Sequence, residues 1–310
     1  VDFTGKRVGV IGTGSSGVQM MPHIAAQAKH LTVFQRTANF SLPARNAPLD
    51  ADKERKHKEE YTERRIAAYS TPFGIAGYPP PDKSALEVTE EERQAIYESK
   101  WQEGGSISYL FAYKDLLLNK SANDTASEFV RNKIRKTVKD PVTAEILCPN
   151  NHPIGTKRLI LDSQYYEIFN QSNVDLVDVR SAPIQKITEN GIQTTDNEYE
   201  LDAIAFATGF DAMTGAMKEI NISVDGGTNI EEQWGDGPQT YLGLMVAGMP
   251  NMFMITGPQS PGVKSQMILS IEWHVNWIAE CLAHMMNSNH TRVMAKEDAQ
   301  RRWVDHVREV

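Results

Sequence analysis

Near the start of the chain, Ile11-Gly12-Thr13-Gly14-Ser15-Ser16-Gly17 has the make-up of a phosphate cradle. Gly12, Gly14 and Gly17 fall at the G-x-G-x-x-G positions. The first permits a tight turn, the second lets the backbone approach a pyrophosphate, and the third lets the following helix pack closely on a sheet. A helix predicted over 16–29 would aim its unpaired N–H groups and the positive end of its dipole at that phosphate. Pro22 lies inside this helix and predicts a local bend. A dinucleotide site of the NAD type usually carries Asp or Glu about 20 residues beyond the glycines. Here the chain reads Gln35-Arg36-Thr37 instead. Arg36 offers a planar fork of donors to a 2′-phosphate and Thr37 adds a hydroxyl, so the pattern reads as NADP rather than NAD.

Two further places carry charge or a turn of the right kind. Lys157 and Arg158 are adjacent cations, which on spacing alone read as an exposed pair. Later, Pro250–Ile255 reads as a buried strand running into Gly257-Pro258-Gln259-Ser260-Pro261-Gly262, with a helix over 265–286. A strand, a Gly/Pro turn and a helix N-terminus suit an anion or an electron-rich ring edge, and a plain turn is the alternative. Cys148 and Cys281 fit no metal-ligand spacing and read as buried thiols in a reducing compartment.

These groups need a scaffold, and the pattern supplies an α/β one. Val8, Val10 and Ile11 form a β-branched run suited to a buried parallel strand. Leu31–Phe34 closes a β-α-β unit. Charged residues from Asp50 to Arg65 predict a solvated helix, followed by a Pro- and Gly-dense loop over 71–84 that is open to a second reading as a flap. Helices are predicted over 89–102, with Thr89 and Glu92 as a capping box, and over 107–118 and 122–139. Apolar β pattern returns at Leu159–Leu161, Val174–Asp178, around Ile184, Ile187 and Ile192, and at Ala203–Phe206. A short helix is predicted over 165–170, and no internal repeat is visible.

Composition bounds the answer. With 310 residues, 40% hydrophobic and 23% charged, the chain suits two or three globular domains. A formal charge of −8 without a basic stripe excludes a general nucleic-acid binder. There is no apolar run of membrane-span length and no signal peptide, so a cytoplasmic protein is expected.

The segments IGTGSSG, FQRT, GTKR, YYEIFN, ATGFD, TYLGL and GPQSP followed by IEWHVNW together resemble the cyclohexanone-type Baeyer–Villiger monooxygenases, class B flavoproteins. The resemblance spans essentially the whole chain in order. It implies a Rossmann-like NADP-binding domain at 1–42 and 153–206, an all-helical insertion at 43–152, and the C-terminal part of a second, FAD-binding α/β domain at 207–310. It implies FAD and NADP as cofactors, with a ketone and O2 as substrates. NADPH-driven conversion of the ketone to an ester or lactone would run through a flavin peroxide. Thr13, Ser15, Ser16 and Gly17 would hold the pyrophosphate, within a cofactor-binding set that includes Gly12, Gly14 and Gln19. Arg36, Thr37 and Lys157 would hold the 2′-phosphate, and Ala207 and Thr208 would lie at the crossing between the two domains. The segment from Pro261 to Met267, with Gln266, would touch the pyrimidine end of the flavin. Arg158 would be the catalytic residue, because a guanidinium stays cationic at any working pH and stabilises a developing oxyanion in a dry pocket.

The family also carries a first glycine fingerprint, an aspartate beside the arginine and a His/Trp signature upstream, and a Trp-bearing segment downstream. On that pattern, residues 1–310 alone are not expected to oxygenate. Gln259, Gly262, Lys264 and Trp273 depart from the pattern, which points to an altered substrate side. Two other readings are a flavin monooxygenase making N-oxides or sulfoxides, and a non-catalytic NADP-binding module. The particular ketone, the regioselectivity and the oligomeric state are left open by the sequence.

Overall fold

The computed structural model describes residues 1–71, 73–224, 227, 229–260 and 265–309. In chain order the first elements are β1 (Arg7–Ile11), α1 (Ser15–Ala25), β2 (His30–Gln35), β3 (Ser41–Pro43), α2 (Ala51–Glu59) and α3 (Tyr61–Ala68). Then come α4 (Glu90–Glu103), α5 (Ser106–Leu110), α6 (Lys120–Thr137), α7 (Pro141–Leu147) and β4 (Ile160–Asp162). A 3-10 turn at Glu167–Asn170 leads to β5 (Val174–Asp178), β6 (Ile184–Thr188), β7 (Gly191–Thr194), β8 (Glu198–Glu200) and β9 (Ala203–Phe206). The chain ends with α8 (Gly215–Glu219), α9 (Ile230–Gln233), α10 (Met267–Asn287) and α11 (Glu297–Glu309).

Contacts divide these elements into two units, residues 1–50 with 78–209, and residues 51–77 with 210–310. The segment 43–152 is therefore shared between them. In the first unit, β5-β2-β1-β9 form a parallel sheet. Val8, Val10, Leu31 and Val33 are fully buried within it, as expected for strands covered on both faces. Their core is continuous with Tyr97, Tyr109 and Phe129 from α4, α5 and α6. A second pair, β3 with β4, is also parallel, with Ser41 opposite Ile160. That pairing brings the residues before β3, Thr37 to Phe40, beside those before β4, Lys157 to Leu159. An antiparallel sheet β6-β7-β8 completes the unit.

Several elements are shorter than their sequence pattern. The helix expected over 107–118 stops at Leu110, because the Lys114 N–H turns away to the Lys83 carbonyl at 3.0 Å. The Asp115 carboxylate then accepts from Ser84 Oγ at 2.5 Å and from the Ala85 N–H at 2.9 Å. The charged helix over 50–65 is two helices, meeting at Glu60. Thr89 caps α4 by accepting from the Glu92 N–H at 3.2 Å.

In the second unit the strand expected at Pro250–Ile255 is absent. The N–H groups of Asn251, Met254 and Gly257 donate to Val293, Leu244 and Gly243 respectively, so no ladder forms. Positive φ at Asn251 (60°) and Thr256 (52°) bends both ends of the segment. The long helix α10 follows, and His274 is the buried residue within it. Among the described residues no helix is long and apolar enough to cross a membrane.

At the sheet edge, Arg7 of β1 forks onto Asp202, Nη2 lying 2.8 Å from Oδ1, and also pairs with Glu200. Hydrogen bonds from Arg7 hold the Asp202 carboxyl down at about 2 against an ordinary 3.8. A depressed folded pKa stabilises above the unfolded value and loses that contribution as pH falls through the folded one. Thermal melts should therefore find Asp202→Asn less stable than the parent at neutral pH, with the gap closing as the pH falls from 3.8 toward 2.

Candidate functional site

The glycine loop is built by close backbone contact. Gly12 has φ of +105°, and a Cβ there would lie 2.4 Å from the Ala207 carbonyl oxygen. Gly17 sits in the first turn of α1, where a Cβ would lie 2.2 Å from the Gly12 carbonyl oxygen. Gly14 differs, for a Cβ there would meet nothing within 4 Å. The turn is thus closed against the sheet at its first and third glycines and open at its second. Gly14 is also the N-cap of α1, which has no side-chain cap and no acidic residue in its first turn. Ser15, Ser16 and Gln19 are exposed beside it. A helix start with free N–H groups, a positive dipole end and an open approach suits an anion.

The same loop is tied to the end of β2. Buried Thr13 donates from Oγ1 to the Thr37 carbonyl at 2.9 Å, and Asn39 Nδ2 donates to the Thr13 carbonyl at 2.8 Å. Thr37 is half-buried and Arg36 is exposed. Arg36 borders a cavity of about 260 Å³, which Gln35, Asn150, Asn151, Asp178 and Arg180 also line. Ala207 completes the floor, its N–H donating to the Ile11 carbonyl at 2.8 Å, while Thr208 lies exposed next to it. Gln19 ties α1 to β4 by donating to the Leu161 carbonyl at 2.9 Å.

Lys157 and Arg158 are exposed just before β4, on the side where Thr37 to Phe40 precede β3. The His152 ring stands edge-on to Phe40 with centroids 5.5 Å apart. Burial, helped by the Lys157 charge, lowers the His152 pKa and so favours the neutral ring at pH 7. Among the described residues Arg158 has no acidic partner, which leaves its guanidinium free for a ligand.

The first unit holds Gly12 to Gly17, Gln19, Arg36, Thr37, Lys157, Arg158, Ala207 and Thr208, and direct contacts join the glycine loop to Thr37 and to Ala207. Gln266 and Met267 belong to the second unit. There the Gln266 Oε1 caps α10, accepting from the Ile268 N–H at 2.6 Å and the Leu269 N–H at 3.3 Å. Pro261, Gly262, Val263 and Lys264, expected with them on the flavin side, lie outside the described residues. Gln259 holds its own turn, for its Oε1 accepts from the Thr240 N–H at 2.9 Å. Its carbonyl accepts from Trp303 Nε1 at 3.1 Å. Buried His274 accepts the Thr256 N–H on Nδ1 at 2.9 Å, and burial lowers its pKa. Sequence reasoning missed Asn39, His152 and Arg180. Only Arg180 left a signal, as a cation two residues past the end of a strand.

No family model matches the chain. Among curated proteins it is 41% identical to the 2-oxo-Δ3-4,5,5-trimethylcyclopentenylacetyl-CoA monooxygenase of Pseudomonas putida, over 99% of this chain and 56% of that protein. A Baeyer–Villiger monooxygenase of Pseudooceanicola batsensis is 38% identical over 100% of this chain and 56% of its own length. A phenazine N-monooxygenase of Lysobacter antibioticus is 37% identical over 100% of this chain and 57% of its own length. Of solved structures, an oxidised steroid monooxygenase bound to NADP superposes with a TM-score of 0.92 at 48% identity, over 100% of this chain and 59% of that one. OTEMO in complex with FAD and NADP gives a TM-score of 0.94 at 40% identity, over 99% of this chain and 57% of that one. The chain spans a little over half the length of the curated relatives it matches.

The glycine packing makes a direct prediction. Gly17→Ala forces a methyl onto the Gly12 carbonyl and should cost about 2 kcal/mol or more of stability by overpacking. Gly14→Ala, with open space at Cβ, should melt within a few degrees of the parent. Equal losses in the two variants would contradict the geometry.

Proposed function

We propose, for a chain whose sequence and fold are those of the Baeyer–Villiger flavin monooxygenases along its whole length, that it forms the NADP-binding part and the C-terminal, flavin-facing part of such an enzyme. The observation that carries this reading is the uncapped start of α1, open at Gly14 and tied through Thr13 to Thr37 at the end of β2, where Arg36 is exposed. A dinucleotide carrying an extra phosphate fits that arrangement, since each of its anionic groups meets free N–H groups or a free cation.

In this reading the first-turn N–H groups of Ser15, Ser16 and Gly17 hold the pyrophosphate, while Gln19, Ala207 and Thr208 border it. Arg36, Thr37 and Lys157 hold the 2′-phosphate. Gln266 and Met267 face the flavin from the start of α10, within a C-terminal FAD-binding part at 207–310. Bound NADPH supplies reducing equivalents and bound FAD the oxygen-activating chemistry. Arg158 supplies a permanent positive charge, and its task is to stabilise the negative charge that develops on the oxygen of a bound ketone. Lysine is a poor replacement there, since it lacks the planar fork. Substrates are then a ketone and O2, and the product an ester or lactone. A cytoplasmic setting agrees with two free cysteines, Cys148 and Cys281.

A second reading, oxygenation at nitrogen, draws support from the similarity to a phenazine N-monooxygenase. Product analysis separates the two. A whole flavin-loaded enzyme that contains this chain should oxidise NADPH faster when a cyclic ketone is added and release a lactone, detected by gas chromatography. An N-oxide from a heteroaromatic amine, with no lactone from any ketone, would instead favour the second reading. Arg158→Ala should bind NADPH within about twofold of the parent, because the phosphates are held elsewhere, yet form no lactone. Lactone formation by that variant would remove Arg158 from its role.

A further inference from the structure

One buried titratable group of the second unit has no part in the function proposed above. We propose that His274 is a positioning residue for the flavin-side segment: its neutral ring, through Nδ1, holds Thr256 in a left-handed conformation and so ties the turn at 256–260 to α10. This rests on the flavin reading above and adds a residue to it.

The turn departs from ordinary backbone at both ends. Thr256 has φ of +52° and Gln259 of +65°. In a β-branched residue such a φ is a true outlier, kept only where the surroundings impose it. The Gln259 end is braced from the preceding turn and from α11. Its Oε1 accepts from the Thr240 N–H at 2.9 Å and its carbonyl from Trp303 Nε1 at 3.1 Å. Thr240 Oγ1 donates to the Pro258 carbonyl at 2.8 Å, and the Gly257 N–H donates to the Gly243 carbonyl at 3.1 Å. At the Thr256 end the N–H donates to His274 Nδ1 at 2.9 Å. Gln266 caps the same helix and Met267 begins it, so His274 joins the two flanks of the segment read as flavin-facing.

The chemistry of the ring explains why a histidine stands there. A ring nitrogen that accepts is unprotonated, so the proton of the neutral ring is on Nε2. That Nε2 is buried and has no partner among the described residues. An apolar side chain would fill the place without an unpaired donor, and the Nδ1 lone pair is what histidine adds. His274 is 0% exposed, and burial lowers its pKa from the ordinary 6.5 with no charged group contributing. On α10, Glu272 is engaged by Arg65 and Tyr69, and Glu280 is exposed. The neighbouring Trp273 ring, 5.8 Å away, is neutral. The segments that share a cluster with α10 bring Tyr241 as a titratable group, with Arg292 and Lys296 exposed beside Val293 and Ala295. Protonation would place a hydrogen on Nδ1 against the Thr256 N–H, donor facing donor. A depressed folded pKa means the clamp holds above the ordinary value and is lost as pH falls through the folded one.

Two measurements test this on a whole flavoenzyme that contains the chain. In hydrogen exchange at about pH 7, the Thr256 amide should exchange about tenfold faster in His274→Leu than in the parent. His274→Asn, whose Oδ1 stands near the place of Nδ1, should recover part of that protection. FAD affinity, followed by the fluorescence of released flavin, should fall in the parent by up to about tenfold per pH unit below the titration of the ring. In His274→Asn, which takes up no proton there, it should stay within about twofold over the same range. Thr256 protection unchanged by both substitutions overturns the inference, and so does one shared pH profile of FAD affinity in the parent and His274→Asn; the flavin reading survives either result. An enzyme that takes up no FAD at any pH overturns the flavin reading and the inference with it.

Discussion

A single added carbon at Gly17 would lie 2.2 Å from the Gly12 carbonyl, and one at Gly12 would lie 2.4 Å from the carbonyl of Ala207. Those two contacts join three elements, the end of β1, the start of α1 and the end of β9. The first turn of α1 can face a ligand at the carboxyl edge of the sheet only because the backbone is that close. Thr13 then extends the same constraint outward by gripping the Thr37 carbonyl, which sets the end of β2 at a fixed distance from the loop. The glycine loop, the start of α1 and the end of β2 are thus held by one piece of backbone packing, and the side chains at the rim sit within it.

Around that centre the structure uses polar groups to stop and redirect the chain. Asp115 gathers Ser84 and Ala85 and ends the helical run after α5. Buried Asp162 accepts from Ser41 and from the Tyr165 N–H, locking β3 to β4 and to the turn that follows. The segments Thr37 to Phe40 and Lys157 to Leu159 lead directly into these two paired strands. Burial raises the Asp162 carboxyl pKa, against the opposing pull of the hydrogen bonds from Ser41 and the Tyr165 N–H. Lys157 and Arg158 lie exposed at the surface just before β4.

The second unit shows the same economy in its turns. Gln266 caps α10 with its own side chain, Gln259 braces the preceding turn against Thr240, and Trp303 reaches back to the Gln259 carbonyl. Gln259 departs from the family pattern, and its carboxamide fills a role in holding that turn. Trp273, another departure, is half exposed on α10 at 52%.

The β-α-β unit and the glycine turn between its first strand and helix were legible from the sequence because each depends on residues close together in the chain. The strands Val174–Asp178 and Ala203–Phe206 were legible for the same reason, as short apolar runs between turns. The expected strand at Pro250–Ile255 was not formed, since a strand exists only through a partner and the N–H groups of Asn251 and Met254 were taken by two separate carbonyls, those of Val293 and Leu244. The function of Lys157 and Arg158 rested on resemblance, for spacing alone gave two exposed cations. Their placement beside Thr37 came from the β3–β4 pairing across more than a hundred residues, which no local pattern encodes. Arg180 is the clearest case. Local sequence made it a cation at the end of a strand, and only the lateral order β5-β2 put that strand end next to Arg36. Local sequence determines which turns and helices can form, because their hydrogen bonds close within a few residues. Which strands lie side by side is decided by the burial of whole faces, and that exists only in the folded chain.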